Sequence, residues 1–175
     1  MAASAGCVFM ALSRLDLAPT DEARQLLTAC CGSSAWVERM LRRRPFTSLD
    51  RLLSIARDEW VTLTWTDWLE AFSHHPKIGD RDALARRFGR TAHLSEQEQR
   101  GVDSASADLL DHLAAGNRAY EDRFGHIFIV CATGRSAAEM LDLLRARLPN
   151  DAETEIRIAA EEQAKITELR LRALG

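Results

Sequence analysis

Apolar residues recur three and four apart through most of this chain, and polar caps, glycines and prolines cut the pattern into helical lengths. Ala23, Leu26, Leu27 and Cys30 predict a first helix from Thr20 or Asp21 to Cys31, with Gly32 able to stop the turn. Trp36, Val37, Met40 and Leu41 form the buried stripe of a second, capped by Ser33 or Ser34 and ended by Pro45. A third opens at Thr47 or Ser48 and carries Leu49, Leu52, Leu53 and Ile55 inward. Thr66 to Ser73 brings in Trp68, Leu69 and Phe72. Pro76 then disfavours helical backbone at His75, which puts that histidine at the end of a packed helix.

Beyond it, Asp82 to Phe88 reads as a short helix punctuated by Gly79 and Gly89. Leu109, Leu110, Leu113 and Tyr120 mark a long helix that begins after Ser95 and breaks or bends near Gly101. Ser136 to Leu148 and Ala152 to Leu174 complete the set, the latter burying Ile156, Ala159, Ala160, Ile166 and Leu169. The periodicity fails in one place, FGHIFIVCATG (Phe124 to Gly134), where Ile127 to Val130 are all apolar. That stretch is either a buried strand or an irregular wall segment. The pattern as a whole predicts an all-α fold, one compact multi-helix domain over 1–175, with 1–15 as a loosely ordered extension.

Composition supports this picture and narrows the partners. Four prolines and one tyrosine accompany much Ala, Leu, Arg and Glu, and 46% hydrophobic residues in 175 suffice for one substantial core. A net charge of −3 and a pI near 6.0 leave no basic footprint for nucleic acid or an anionic membrane. No run reaches the roughly 18 apolar residues of a membrane span. The N-terminus lacks the pattern of a signal peptide, and the C-terminus carries no peroxisomal address. Cys7, Cys30, Cys31 and Cys131 show no CxxC spacing and read as reduced thiols, so a cytoplasmic protein is expected. The four tryptophans, Trp36, Trp60, Trp65 and Trp68, suit a packed core better than a stacking platform.

Two polar clusters could carry chemistry: HPKIGD (His75 to Asp80) and SEQEQ (Ser95 to Gln99). Together they offer an imidazole, a carboxylate, an amide and a hydroxyl, a set able to move protons on a small polar substrate without a metal or cofactor. Each has a plain structural alternative. His75 can be a C-terminal helix histidine, and Ser95 with Glu98 spells a capping box. Adjacent His74 and His75 diverge, and no third ligand stands at a recognisable spacing, so no metal site is expected. Arg170 could hold an anionic group through its planar fork. Arg157 competes with it, although about 220° of helical rotation keeps the two off one face. The run Arg42-Arg43-Arg44 reads as a solvated helix end.

In their order and spacing these motifs resemble the 2-oxo-4-hydroxy-4-carboxy-5-ureidoimidazoline (OHCU) decarboxylases of the urate-to-allantoin pathway. The resemblance rests on HPKIGD, SEQEQ, NRAYEDRFGHIFIVCATG, RLPND and AAEEQAKITELRL, and it covers the chain from about Trp36 to Leu171. It implies a homodimer that decarboxylates OHCU to S-allantoin without metal or organic cofactor. It also implies catalytic roles for His75 and Glu98, and substrate contacts from Pro76, Ser95, Gln99 and Arg170. The family's substrate-facing backbone falls on Phe128, Ile129, Val130, Cys131 and Ala132. His126 has no matched role. Two alternatives stay open: a related decarboxylase or hydrolase of another ureido or heterocyclic acid, and a noncatalytic helical ligand-binding protein.

Overall fold

The computed structural model describes the backbone of residues 15–75 and 96–174, and side chains over 15–75 and 107–174. The expected short helix from Asp82 to Phe88 lies outside the described residues, as do Pro76, Ser95 and the side chains of Glu98 and Gln99. Among the described residues there are seven helices of two turns or more and no strand. The fold is all-α.

The helices are α1 (Thr20–Cys30), α2 (Ser34–Arg42), α3 (Leu49–Val61), α4 (Trp65–Ser73), α5 (Glu96–Phe124), α6 (Ala137–Arg147) and α7 (Ala152–Arg172). Side-chain caps start five of them. At α7, Asp151 accepts from the Thr154 amide at 2.8 Å. Ser33 accepts from the Trp36 amide, Ser48 from Arg51, and Thr64 and Ser136 form full capping boxes with Asp67 and Glu139. α1 ends one residue earlier than its pattern predicts, because Cys31 is extended at φ −145°. Gly32 is therefore not a left-handed stop. A Cβ added there would come within 2.5 Å of the Cβ of His74, so glycine is needed for close approach. α5 runs through Gly101 without a break, contrary to the expected interruption. The 125–134 stretch is irregular rather than a strand.

The chain divides into two compact units. One comprises Met1–His75 with Ala160–Gly175, and in it α2 packs on α1, α3 and α4. Its core includes Leu27, Trp36, Met40, Phe46, Leu52 and Phe72, all within 2% of full burial. Each such apolar side chain contributes roughly 1.5–3 kcal/mol. Indole N–H groups cross-brace it: Trp36 donates to the Ala56 carbonyl at 3.0 Å, Trp60 to Ala160 at 2.9 Å and Trp68 to Trp60 at 3.2 Å. Trp65 departs from the all-core expectation, being 46% exposed. Leu69 and Leu169 also face outward, at 39% and 43% exposure, while Ala71 and Leu171 take the buried positions. Of the arginine run, Arg42 and Arg43 are exposed, but Arg44 turns inward and donates to the carbonyls of Asp16 and Ala18.

The other unit, Pro76–Ala159, packs α5 on α6. Leu110, Leu113, Ala114, Tyr120, Phe128, Val130, Met140, Leu141 and Leu144 form its core.

Candidate active site

α4 delivers His75. The helix closes on the His75 amide, which donates to the Phe72 carbonyl at 3.1 Å, and the half-buried imidazole meets α7. Its Nε2 lies 2.5 Å from Oε1 of Gln163. Gln163, Thr167 and Arg170 stand four and three residues apart, so they share one face of α7. The Gln163 amide donates in turn to the Thr167 hydroxyl at 3.1 Å, and Thr167 hydrogen-bonds the thiol of Cys31. Gln163 is fully buried, a cost that only these partners offset.

Arg170 is half-buried, and its Nη1 donates to the carbonyls of Cys30, at 3.2 Å, and Ala29, at 3.4 Å. Those carbonyls are the negative end of the α1 dipole, where a cation contributes about 0.3–1 kcal/mol. Burial pushes the His75 imidazole below the ordinary histidine range. The Gln163 hydrogen bond opposes that shift, and the Arg170 guanidinium and the neighbouring His74 add to it. Burial also pushes the Cys30 thiol up to about 12 and the Cys31 thiol up to about 11, so both stay protonated at neutral pH and neither is a ready nucleophile. Nearby, Glu70 of α4 caps α2, accepting from the Ser34 amide at 3.0 Å and its hydroxyl at 2.8 Å. The unit thus gathers a neutral imidazole, an amide, two hydroxyl-bearing residues, a carboxylate and a guanidinium from α2, from α4 with the turn that follows it, and from α7.

The second unit holds the segment expected to face substrate. The Phe128, Ile129 and Val130 side chains are buried, so these three can present only backbone, while Cys131 and Ala132 are half-buried. Arg147 organises the segment. Its Nη1 donates to the Ile129 carbonyl at 2.8 Å, its Nε to Oε1 of Glu155 at 2.8 Å, and its guanidinium stacks 4.6 Å from the Phe128 ring centroid. Tyr120 and Asn150 complete the set by donating to Glu155, which has no exposed surface. Carbonyls 131 and 132 are engaged by Arg135, through its Nε and its amide. These engaged carbonyls narrow the groups the segment can offer to a ligand.

His75 and Arg170, both expected from the motifs, lie in the same unit, where His75 bonds Gln163 and feels the charge of Arg170. Arg157 instead pairs with Glu153 on an exposed face at 2.9 Å. Gln163, Thr167 and the Arg147–Glu155–Tyr120 cluster carried no assigned role in the sequence reading. Two signals could have found them: a polar four-then-three spacing inside an otherwise apolar face, and an arginine placed just before Pro149. Among the described residues, no three His, Cys, Asp or Glu side chains converge in a way that could hold a metal ion.

Residues 16–172 match the family model described as OHCU decarboxylase. The chain is 45% identical over 148 residues to the uric acid degradation bifunctional protein TTL of Arabidopsis thaliana, covering 83% of this chain and 45% of that protein. A 2-oxo-4-hydroxy-4-carboxy-5-ureidoimidazoline decarboxylase of Haloferax volcanii is 29% identical over 139 residues, covering 79% of this chain and 80% of that one. A crystal structure of OHCU decarboxylase in the presence of (S)-allantoin superposes with a TM-score of 0.68 and 40% identity, covering 84% of this chain and 94% of the other. This chain therefore spans less than half of the Arabidopsis bifunctional relative and nearly all of the OHCU decarboxylase structure.

Proposed function

The chain belongs to the OHCU decarboxylase family, and from that premise we propose that it converts OHCU to S-allantoin in urate degradation, as a cofactor-independent carbon–carbon lyase. The observation that supports this most is the family match over residues 16–172, within which His75 is a half-buried, neutral imidazole. In OHCU the departing carboxylate lies on a carbon next to a ring C=N bond. Electrons released with CO2 spread toward nitrogen, as in a β-keto acid, so no separate electron sink is required. The remaining work is positioning and proton transfer.

In this reading His75 donates or relays a proton to the enol-like intermediate that loss of CO2 leaves, and Glu98 holds the substrate hydroxyl or accepts its proton. Pro76, Ser95 and Gln99 line the substrate, backbone groups of Phe128, Ile129, Val130, Cys131 and Ala132 read its ureido and ring amides, and Arg170 binds an oxygen. A firm grip by Arg170 on the departing carboxylate would oppose its loss, since only preferential transition-state binding accelerates the step. Its use on the α1 carbonyls favours an ordering role. We read the active species as a homodimer of single-domain subunits in the cytoplasm. In line with that reading, no described helix is long and apolar enough to cross a membrane, and light scattering tests the dimer.

The deciding experiment generates OHCU in situ from urate and follows product chirality by circular dichroism. The protein should accelerate S-allantoin formation, and His75→Ala should lower kcat by roughly 10²–10⁴ with the helical spectrum unchanged. Racemic allantoin at the uncatalysed rate would overturn the proposal.

A further inference from the structure

We infer that Gln163 and Thr167 are positioning residues that lock His75 as its Nε2–H tautomer, leaving Nδ1 as the ring's proton-accepting atom. This rests on the reading of His75 as the proton-handling residue and adds the device that orients it. The polarity follows from the order of the hydrogen bonds. Gln163 commits its amide N–H to the Thr167 hydroxyl at 3.1 Å, so its carbonyl oxygen faces the imidazole at 2.5 Å. A carbonyl oxygen only accepts, and Nε2 must therefore carry the proton. The Thr167 hydroxyl, having accepted from Gln163, donates onward to Cys31, whose sulfur also takes the Ser33 amide. With both ends of the chain held, the glutamine cannot exchange its oxygen for its nitrogen without breaking two bonds.

A purely space-filling role does not account for Gln163. It is fully buried on α7 four residues beyond Ala159, where an apolar side chain would pack without the desolvation cost of an amide. The groups that face His75 from its neighbours are Arg170 on α7 and His74 on its own element, both disfavouring the imidazolium. Cys31 behind Thr167 stays a neutral thiol, and Glu70 is engaged at the start of α2. His75 is thus neutral at rest. In turnover, Nδ1 takes up one proton from solvent. The C–C bond then breaks, and its electron pair forms a C=C bond and moves the ring C=N pair onto nitrogen, which takes a proton from solvent. The imidazolium gives its proton to the neighbouring, ureido-bearing carbon as the hydroxyl on the carbon CO2 has left loses its own and becomes the carbonyl. One proton is consumed for each CO2 released, and His75 returns to its neutral Nε2–H form.

The test pairs spectroscopy with kinetics on the full chain. Long-range 15N–1H correlation of histidine-labelled protein at pH 7.5 should show His75 as the Nε2–H tautomer. A resting Nδ1–H tautomer would overturn the inference while leaving the decarboxylase reading intact. Gln163→Leu should mix the two tautomers and lower kcat by roughly tenfold to a thousandfold with KM nearly unchanged. Gln163→Glu, which still accepts at the same place, should keep the Nε2–H tautomer, recover most of kcat and move the acid limb of the pH profile upward. Unchanged tautomer and kcat in Gln163→Leu, or no recovery in a folded Gln163→Glu, would each reject the positioning role. Full turnover by His75→Ala would instead reject the reading on which the inference rests, whatever the resting tautomer.

Discussion

His75 and His126 both sit where burial favours the uncharged ring, and both imidazoles titrate below the ordinary value of 6.5. The unfolded chain therefore binds protons before the folded one does. Stability from these two rings is complete above about pH 6.5 and is lost as the pH falls through the depressed folded values. His126 packs edge-on against Tyr120, with ring centroids 5.5 Å apart, and its Nδ1 bonds the Ile127 carbonyl at 3.0 Å. His126→Leu should then lose less Tm than the parent protein between pH 7.5 and pH 5, measured by calorimetry. Equal losses would show that His126 does not contribute to the acid sensitivity. For His75 the same depression predicts that the acid limb of kcat/KM falls below pH 6.5, and a limb above that value would contradict the neutral resting state. The residue types in HPKIGD announce an imidazole with a task, but its partner Gln163 is 88 positions away, and nothing local to His75 names it.

Four helices of this chain begin where a hydroxyl meets an amide three residues on, a rule that acts within one turn and is readable in order. Ser33, Ser48 and Ser136 were identifiable in that way, and Ser136→Ala should cost about 1 kcal/mol, seen as a Tm fall of a few degrees. Glycines divide differently, because what they permit depends on the element opposite. A methyl at Gly32 meets the His74 Cβ, close to its own backbone, whereas a methyl at Gly116 meets the far end of the Leu144 side chain at 2.6 Å. Gly32→Ala should cost roughly 1–3 kcal/mol through overpacking and also disturb His75. Gly116→Ala should fall near neutral, since the leucine can give way and alanine gains about 1 kcal/mol of helix propensity. Chemical denaturation of both variants checks the contrast, and equal destabilisation would refute it.

Across the molecule, each unit builds its own core, and the second depends on a buried ion pair. Arg147 and Glu155 lie 2.5 Å apart, and Tyr120, Asn150 and the Ile129 carbonyl satisfy their remaining bonds. Arg147→Ala should cost about 3–5 kcal/mol by stranding the buried carboxylate. The double variant Arg147→Leu/Glu155→Leu should recover part of that loss in equilibrium unfolding. No recovery would mean that Arg147 acts chiefly through Ile129 rather than through Glu155. Sequence by itself determined the helical content, most helix ends, the family and the His75 motif, because period, caps and motif order are properties of neighbouring residues. It placed Trp65, Leu69 and Leu169 in the core, and these face outward because a helix's buried side is chosen by what packs against it. Tertiary structure alone decided the irregular path of 125–134, the inward turn of Arg44, and the meeting of Gln163, Thr167 and Arg170 with His75 and α1. Those hydrogen bonds join residues 26 to 141 positions apart, and their partners are set by which helix faces the packing of apolar side chains brings together.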